Sequence, residues 1–496
     1  MNRKVITLIL IFLVFLSVRL LFAFQVETFS DDNSYFSLRQ VEHITSTGFP
    51  LYDDDLSYGG RIQLFCPLFY YILAFFNLFL PIIFVGKLVP NIIASTIIFP
   101  AYLLIHDVTR NQKLSLIMSS LVAAVPIFFS QTVNHISPMV LIFPLTIFMM
   151  HCFLNINKSH TYVKLFIVSI LVMSLSHITS YVVISGLLAY LLLLKLEKVR
   201  QTKAETEIIL FSVLFVFWTQ FIIFKRAFLE YGPSILLQNI PEQVRIHMQQ
   251  IVVLDILTLV GIIPLLGGMY IIYKYSFHEK KRPIYIILSF FIVIAVFIMT
   301  NLIPLAIGLV FAALLITVLF SQSAKLVLLF IERSKFSNLR KLVILLFSLG
   351  YAFTIIVPAF HFAAIEIENS HTSQEVEAME FLKEKTPPDS VILTPYNLGH
   401  FLNYHAKRKN VADGNFLLIE NINQRFEDIE EIYKTNFETE AINLLNKYSV
   451  DYIYISQRVK DFYGIQRVDY ITDQNCFRLV FEKEDVQIFR SMCDLR

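Results

Sequence analysis

The chain has 496 residues, of which 56% are hydrophobic and 16% charged, and its mean hydropathy is +0.63. A soluble globular domain carries roughly 25% charged residues, so this composition excludes an ordinary soluble enzyme and indicates an integral membrane protein. The formal net charge is only +2, but acidic residues concentrate toward the C-terminus, which argues against a nucleic-acid partner.

Apolar stretches long enough to cross a bilayer recur along the first 362 residues. A membrane-spanning helix needs about 20 mainly apolar residues. The first stretch follows Arg3 and Lys4, and we interpret it as a retained anchor and not as a cleaved signal peptide. The sequence predicts about eleven spans, at 5–24, 86–105, 114–131, 136–154, 163–179, 181–196, 207–224, 251–273, 283–300, 302–321 and 341–361.

Basic residues decide the predicted orientation. They concentrate in every second loop, which by the positive-inside rule places those loops and the N-terminus in the cytoplasm. Counting 64–80 as a full span would put the later basic loops outside, so we expect that stretch to lie along the outer surface or to dip in and return. We therefore predict a plasma-membrane protein with a transmembrane domain at 1–362 and an extracytoplasmic domain at 363–496, which we call the tail. Two outward-facing loops of the transmembrane domain are long enough to contribute to a site: loop one (25–85) and a middle loop (225–250).

The tail has the pattern of a small α/β domain. The runs SVILTP (390–395) and VDYIYIS (450–456) are rich in β-branched and aromatic residues and predict strands. Helical periodicity follows 420–447, and FRLVFEKEDVQIF (477–489) predicts a hairpin. Cys476 and Cys493 flank that hairpin. They form either a disulfide, in an oxidising compartment, or two unpaired thiols.

Acidic residues crowd loop one. Asp31 and Asp32 come where the first span leaves the membrane, and NSYFSLRQVEHITSTG after them predicts a short amphipathic helix that ends at Gly48. Carboxylates at a membrane surface bind a divalent cation or take a proton from an acceptor. They also solvate outer loops and cap helices, and the residues alone leave both interpretations open.

An acidic pair after the first span, followed by an amphipathic helix that ends in glycine, resembles the first outer loop of GT-C glycosyltransferases. This superfamily includes the dolichyl-phosphate-mannose protein mannosyltransferases and the oligosaccharyltransferase catalytic subunit. YDDDLSYGGR (52–61) is similar to an acidic pattern of that subunit. AMEFLKEKTPPDSVILTPYNLGHFLNYHAKRKNVADGNF (378–416) resembles the region around its WWDYG motif.

The resemblance implies a fold and an activity. The fold is a polytopic α-helical GT-C-like membrane domain with a small extracytoplasmic α/β domain. The activity is transfer of a sugar or oligosaccharide from a polyprenyl phosphate or pyrophosphate to a protein or cell-surface acceptor on the outer face. The implied partners are this sugar lipid, a protein or glycan acceptor, and the membrane lipids.

The resemblance also implies roles for individual residues. Asp31 takes the place of the family's catalytic, metal-binding aspartate, with Asp32 beside it. In the second outer loop, at 130–140, Asn134, His135 or Ser137 stands where the family has a second acidic ligand, and imidazole is a common metal ligand. Asp31 and His135 are therefore the expected ligands of a divalent metal, Mg²⁺ or Mn²⁺.

Donor and acceptor contacts follow in the same way. Basic side chains near the outer headgroups suit a phosphate leaving group; these are Arg61, Lys225 and Arg226. The place of the WWDYG motif, which reads the acceptor in the family, is occupied by Tyr396, Asn397, Leu398 and Gly399, with His400 next to them.

Two other functions stay open. The loop at 130–140 has no acid, which also fits a non-catalytic GT-C-like scaffold or assembly protein. A lipid or polysaccharide transporter is the weaker alternative, because the predicted spans contain few ionisable residues and ion-coupled transporters usually carry them. An enzyme binds a polyprenyl-phosphate sugar, whereas a scaffold has no need of one.

Overall fold

A computed structural model describes residues 3–232, 241, 242, 244, 253–333, 340–472 and 475–494. Its first part is a bundle of helices, numbered here in chain order. The helices are α1 (Arg3–Ala23), α2 (Asp32–Thr47), α3 (Leu68–Asn77), α4 (Ile82–Ser95), α5 (Ile98–Thr109), α6 (Gln112–Ala123), α7 (Pro126–Val133), α8 (Met139–Leu154), α9 (His160–Ser176), α10 (Ser180–Leu196), α11 (Lys203–Ile223), α12 (Lys225–Tyr231), α13 (Val253–Val260), α14 (Ile262–Phe277), α15 (Arg282–Met299), α16 (Leu305–Arg333), α17 (Arg340–Tyr351) and α18 (Val357–Glu368).

The length and composition of these helices are those of a multi-pass membrane protein. Six helical stretches of the described chain are long and apolar enough to cross a membrane, and the bent pair α6 and α7 makes a seventh. Shorter apolar helices, among them α8, α9 and α10, lie beside them. Every predicted span overlaps a helix, but the count of about eleven, the orientation and the domain division at 362 stay predictions.

The bend between α6 and α7 has a local cause. The two helices meet at an angle of 50°, and α7 begins at Pro126. Proline has no amide hydrogen and its ring clashes with the preceding turn, so it opens a new helix more readily than it continues one. The bend directs the end of α7, and the connection 134–138 after it, toward loop one.

Loop one forms the layer between bundle and tail. The amphipathic helix predicted after Asp31 is confirmed as α2, and Gly48 ends it with a φ of +81°, a conformation that glycine adopts without strain. A short antiparallel hairpin follows, made of β1 (Asp53–Asp54) and β2 (Arg61–Ile62). Most of the middle loop at 225–250 lies outside the described residues, and α12 is its main described element.

The tail contains the predicted α/β domain. Its elements are α19 (Ser373–Lys385), β3 (Val391–Leu393), α20 (Gly399–His405), β4 (Lys409–Asn410), α21 (Ile422–Lys434), α22 (Glu438–Lys447), β5 (Tyr452–Ile455), α23 (Gln457–Tyr463), β6 (Phe477–Lys483) and β7 (Val486–Ser491). The five strands form one sheet in the order β4-β3-β5-β7-β6, with β3 parallel to β4 and β5 and the last three strands antiparallel. The predicted strands and the hairpin at 477–489 are confirmed, and Cys476 and Cys493 form a disulfide.

Candidate functional site

Asp31 lies where three segments meet: the start of α2, the connection 134–138, and the end of α18. His135 Nδ1 is 3.5 Å from Asp31 Oδ1, and His135 Nε2 is 3.2 Å from Glu366 Oε2. The Asp31 and Glu366 side chains are 24% and 20% exposed, whereas His135 is 12% exposed. We refer to these three residues as the Asp31 centre, in which two accessible carboxylates flank one enclosed imidazole.

The electrostatics of this centre favour a charged imidazole. Burial by itself lowers the pKa of His135, but the Asp31 and Glu366 carboxylates outweigh burial and raise that pKa to about 9. At neutral pH the ring is therefore an imidazolium, and each of its nitrogen atoms is a donor toward an acid.

Serine hydroxyls hold the centre in place. The Ser34 hydroxyl donates to Asp31 Oδ1 and accepts from the Ile136 amide at 2.8 Å. The Ser30 hydroxyl lies 3.1 Å from His135 Nε2. Loop one and the connection 134–138 are thus joined on both sides of the acid, which fixes the carboxylate relative to the ring.

A buried lysine contacts Asn134, the residue that precedes His135. Lys87, on α4, donates to the Thr28 carbonyl at 2.6 Å and to the Asn134 side-chain oxygen. The Asn134 amide group in turn donates to the Ser370 hydroxyl at 2.8 Å. Lys87 thus joins α4 to loop one and to the connection 134–138 through two hydrogen bonds to neutral groups.

Asp32 faces the tail. Its two carboxylate oxygens accept the backbone amides of His400 at 3.0 Å and Phe401 at 2.7 Å, at the start of α20. Burial raises the pKa of Asp32 well above its usual value, although these two hydrogen bonds oppose the rise. The neighbouring acids therefore have different partners: Asp31 contacts His135, and Asp32 contacts α20.

Arg61 lies in a second buried polar cluster. Its guanidinium is 3.7 Å from Asp413 Oδ1 and donates to the Ser57 hydroxyl at 2.8 Å, and that hydroxyl donates to Asp413 at 2.6 Å. His400 Nε2 is 3.6 Å from the same carboxylate. Burial tends to raise the pKa of Asp413, but His400 and Arg61 hold it below its usual value. The predicted phosphate ligand Arg61 thus has an acid of the tail as its ionic partner.

The segment in the place of the WWDYG motif follows β3 and is packed into the tail. The Tyr396 ring stacks on Phe426 at a centroid distance of 5.1 Å. Within the described structure the buried Asn397 Oδ1 has no hydrogen-bond partner. Helix α20 begins at Gly399, and the backbone at Ala412 passes very close to it. A Cβ on residue 399 would lie 2.3 Å from the Ala412 carbonyl oxygen.

The other predicted phosphate ligands lie on α12. Lys225 and Arg226 are exposed and line a surface cavity of about 560 Å³ together with Glu230 and apolar side chains of α11 and α12. Helix α12 follows α11 directly at Phe224. The described contacts do not join this pair to the Asp31 centre.

The predicted metal at Asp31 and His135 does not fit this arrangement. Metal ligands converge on one point at about 2.0–2.2 Å, whereas Asp31 and Glu366 contact different nitrogen atoms of one ring. The Asn134 side-chain oxygen already accepts from Lys87. In the described part of the chain, no three His, Cys, Asp or Glu side chains form a group that could hold a metal ion.

Sequence reasoning missed three residues of these clusters: Glu366, Lys87 and Asp413. Glu366 stands just after the last predicted span, in IEIENS, and Lys87 lies near the start of a predicted span. An ionisable residue at a span boundary was an available signal for both. Asp413 lies in the segment 378–416 that resembles the region around the WWDYG motif, but only the fold brings it to Ser57.

The fold is that of GT-C glycosyltransferases. The archaeal oligosaccharyltransferase of Archaeoglobus fulgidus, in its apo form, is similar over 91% of this chain and 69% of that chain, with a TM-score of 0.67 and 14% identity. The same enzyme in complex with an inhibitory peptide and a dolichol-phosphate gives a TM-score of 0.68 at 14% identity, over 91% of this chain and 69% of that chain.

ArnT from Cupriavidus metallidurans, bound to undecaprenyl phosphate, is similar over 97% of this chain and 98% of that chain, with a TM-score of 0.56 and 11% identity. No protein-family model matches the sequence, and no curated protein matches it. At identities this low the similarity supports a shared fold, and the activity has to be argued from the site.

Proposed function

We propose that the chain is a membrane glycosyltransferase. It transfers a sugar or oligosaccharide from a polyprenyl phosphate or pyrophosphate to a protein or cell-surface acceptor at the outer face. The observation that supports this proposal is the position of the Asp31 carboxylate. It is 24% exposed at the junction of bundle and tail and is held beside His135. The proposal includes about eleven spans, a cytoplasmic N-terminus, and the division into a transmembrane domain (1–362) and an extracytoplasmic tail (363–496).

The lipids bound to the two similar enzymes support a lipid-linked donor. Structures of those enzymes contain dolichol-phosphate and undecaprenyl phosphate, and one oligosaccharyltransferase structure contains a tethered acceptor peptide. A phosphate-linked sugar already carries a good leaving group, so the reaction needs a base for the acceptor more than an acid for the donor.

In the proposed step Asp31 is the general base. The acceptor oxygen attacks the anomeric carbon, its proton passes to the Asp31 carboxylate, and the polyprenyl phosphate leaves with the bonding electron pair. His135 keeps Asp31 oriented, and Asp32 positions loop one against α20. Lys225 and Arg226 supply positive charge for the donor headgroup, and the segment Tyr396 to His400 lies on the acceptor side.

The test uses purified protein in lipid nanodiscs with a panel of labelled polyprenyl phosphate and pyrophosphate sugars. Wild type is expected to form a glycosylated product, and Asp31→Asn is expected to lose turnover while keeping donor binding and thermal stability. Asp53→Asn, an exposed acid of the same loop, is the control and should behave as wild type. Equal turnover in Asp31→Asn and wild type would remove Asp31 from the mechanism.

The second candidate is a non-catalytic scaffold with this fold. The absence of an acid at 130–140 favours it. It predicts that no donor of the panel is turned over by wild type or by either variant. Movement of the labelled lipid across the bilayer without a new glycosidic bond would instead support the transporter.

A further inference from the structure

The Asp31 centre has a feature that the proposed function does not require: a single imidazole separates its two carboxylates. The Asp31 and Glu366 oxygens lie 3.5 Å and 3.2 Å from opposite nitrogen atoms of His135. Two carboxylates that share a site repel each other unless a positive charge lies between them. A divalent cation commonly fills this role, and here a side chain occupies the position.

The surroundings fix the ring in this position. His135 is 12% exposed, and the Ser30 hydroxyl lies 3.1 Å from Nε2. The next residue, Asn134, is held by Lys87 on one side and by Ser370 on the other. For both carboxylates to converge on one ion, the ring would have to leave this position and lose its contacts with Ser30, Asp31 and Glu366.

The ring and an ion would also compete for the same space. Asp31 and Glu366 share one basic partner, the His135 ring between them. A divalent cation that bridged the two carboxylates would have to occupy the position that this ring fills.

We propose that His135 takes the place of a divalent cation in the Asp31 centre, so that the chain acts on its phosphate-linked donor without bound metal. The proposal rests on the proposed glycosyltransferase function for its catalytic meaning, but its central claim about metal binding is independent of turnover. His135 is thereby a positioning residue, which holds Asp31 and Glu366 on its two sides.

The first experiment measures metal binding without any donor. Purified protein in nanodiscs is stripped with EDTA and titrated with Mn²⁺, followed by electron paramagnetic resonance, and in parallel with Zn²⁺. Wild type and Asp31→Asn are expected to give the same binding curves, because no site depends on Asp31. One equivalent of either ion bound by wild type and lost in Asp31→Asn would overturn the proposal.

A gain-of-binding variant sharpens the test. His135→Asp replaces the ring by a third carboxylate, so it is expected to bind one Mn²⁺ and to gain thermal stability when Mn²⁺ is added. His278→Asp, at an exposed position, is the control for adventitious binding and should show neither effect. If His135→Asp does not fold, the comparison of wild type with Asp31→Asn still decides the question.

The turnover assay separates this proposal from the proposed function. Wild-type turnover is expected to be the same in EDTA and in Mn²⁺, whereas any turnover of His135→Asp should require Mn²⁺. Wild-type turnover that disappears in EDTA and returns with Mn²⁺ overturns the metal-free centre and leaves the glycosyltransferase function intact. Absence of turnover with every donor overturns the proposed function. The metal titration then still tests whether the Asp31 centre binds a metal ion.

Discussion

At the residue scale, three consecutive aspartates of loop one have different surroundings. Asp53 and Asp55 are exposed, whereas Asp54 is 1% exposed and forms a bidentate ion pair with Arg39 at 2.7 and 2.8 Å. Gln63 donates to the same carboxylate at 2.7 Å. The pair is fully enclosed, so each member depends on the other to remain charged inside the protein.

Replacing Asp54 with Ala is expected to cost about 3–5 kcal/mol of folding free energy, because it leaves the Arg39 guanidinium buried without its acid. Thermal unfolding in detergent measures the loss. Asp53→Ala, one residue away and exposed, is the matched control and should change stability little. Similar losses in the two variants would contradict the assignment.

His405 makes stability depend on pH. It is packed among the rings of Tyr35, Phe401 and Tyr404, and burial lowers its pKa from 6.5 to about 4. As pH falls below 6.5 the unfolded chain takes up a proton that the folded chain refuses until about pH 4. Stability is therefore expected to fall by about 1 kcal/mol per pH unit in that window.

In His405→Phe this contribution disappears, so the thermal unfolding temperature should fall less steeply with decreasing pH than in wild type. His371 and His400, whose pKa values burial also lowers, keep part of the slope. His278→Phe, at an exposed site, is the control and should retain the full slope. Identical slopes in wild type and His405→Phe would show that His405 does not titrate in this window.

At the element scale, short helices position the candidate site more than long ones do. The proline at the start of α7 turns the chain so that the connection 134–138 reaches Asp31. Helix α20 begins at Gly399, whose missing side chain allows the chain at Ala412 and Asp413 to approach closely. That approach places His400 beside Asp413 and its amide beside Asp32.

Gly399→Ala tests this close approach. Its Cβ would lie 2.3 Å from the Ala412 carbonyl oxygen, so the backbone has to shift, and we expect a loss of about 1–3 kcal/mol in folding free energy. The Cβ of Gly414→Ala would meet only Asn33 Oδ1 at 3.6 Å, and this control should unfold as wild type does. Equal stability of Gly399→Ala and wild type would contradict the packing argument.

At the scale of the whole molecule, loop one joins the bundle to the tail. Asp32 caps the start of α20, Ser57 donates to Asp413, and Thr28 donates to the His371 carbonyl at 2.7 Å. Asp31 lies within this joint, so the position of the tail and the geometry of the Asp31 centre depend on the same segment of chain.

Asp32→Ala is expected to loosen the joint without unfolding either part. The two amides of α20 lose their acceptor, which costs about 1–3 kcal/mol, so hydrogen exchange in 399–405 should become faster than in wild type. Asp53→Ala serves again as the control. If exchange in α20 is unchanged by Asp32→Ala, Asp32 does not anchor the tail.

Composition and local pattern are enough to predict a membrane protein and its local elements. Long apolar stretches have to be helices in a membrane because only a helix satisfies its own backbone hydrogen bonds there. The turn at Gly48, the strands of the tail and the hairpin between Cys476 and Cys493 follow from local preferences. Asp31 and Asp32 were also marked by their position directly after the first apolar stretch.

The different roles of the acids follow from contacts between distant parts of the chain. Glu366 reaches His135 from a distance of 231 residues along the chain, and Asp413 reaches Ser57 from 356 residues away. Which of two adjacent carboxylates contacts the His135 ring and which contacts α20 depends on how separate helices pack, and local sequence carries no information about that packing. The division between Asp31 at the candidate site and Asp32 at the joint is therefore a property of the fold.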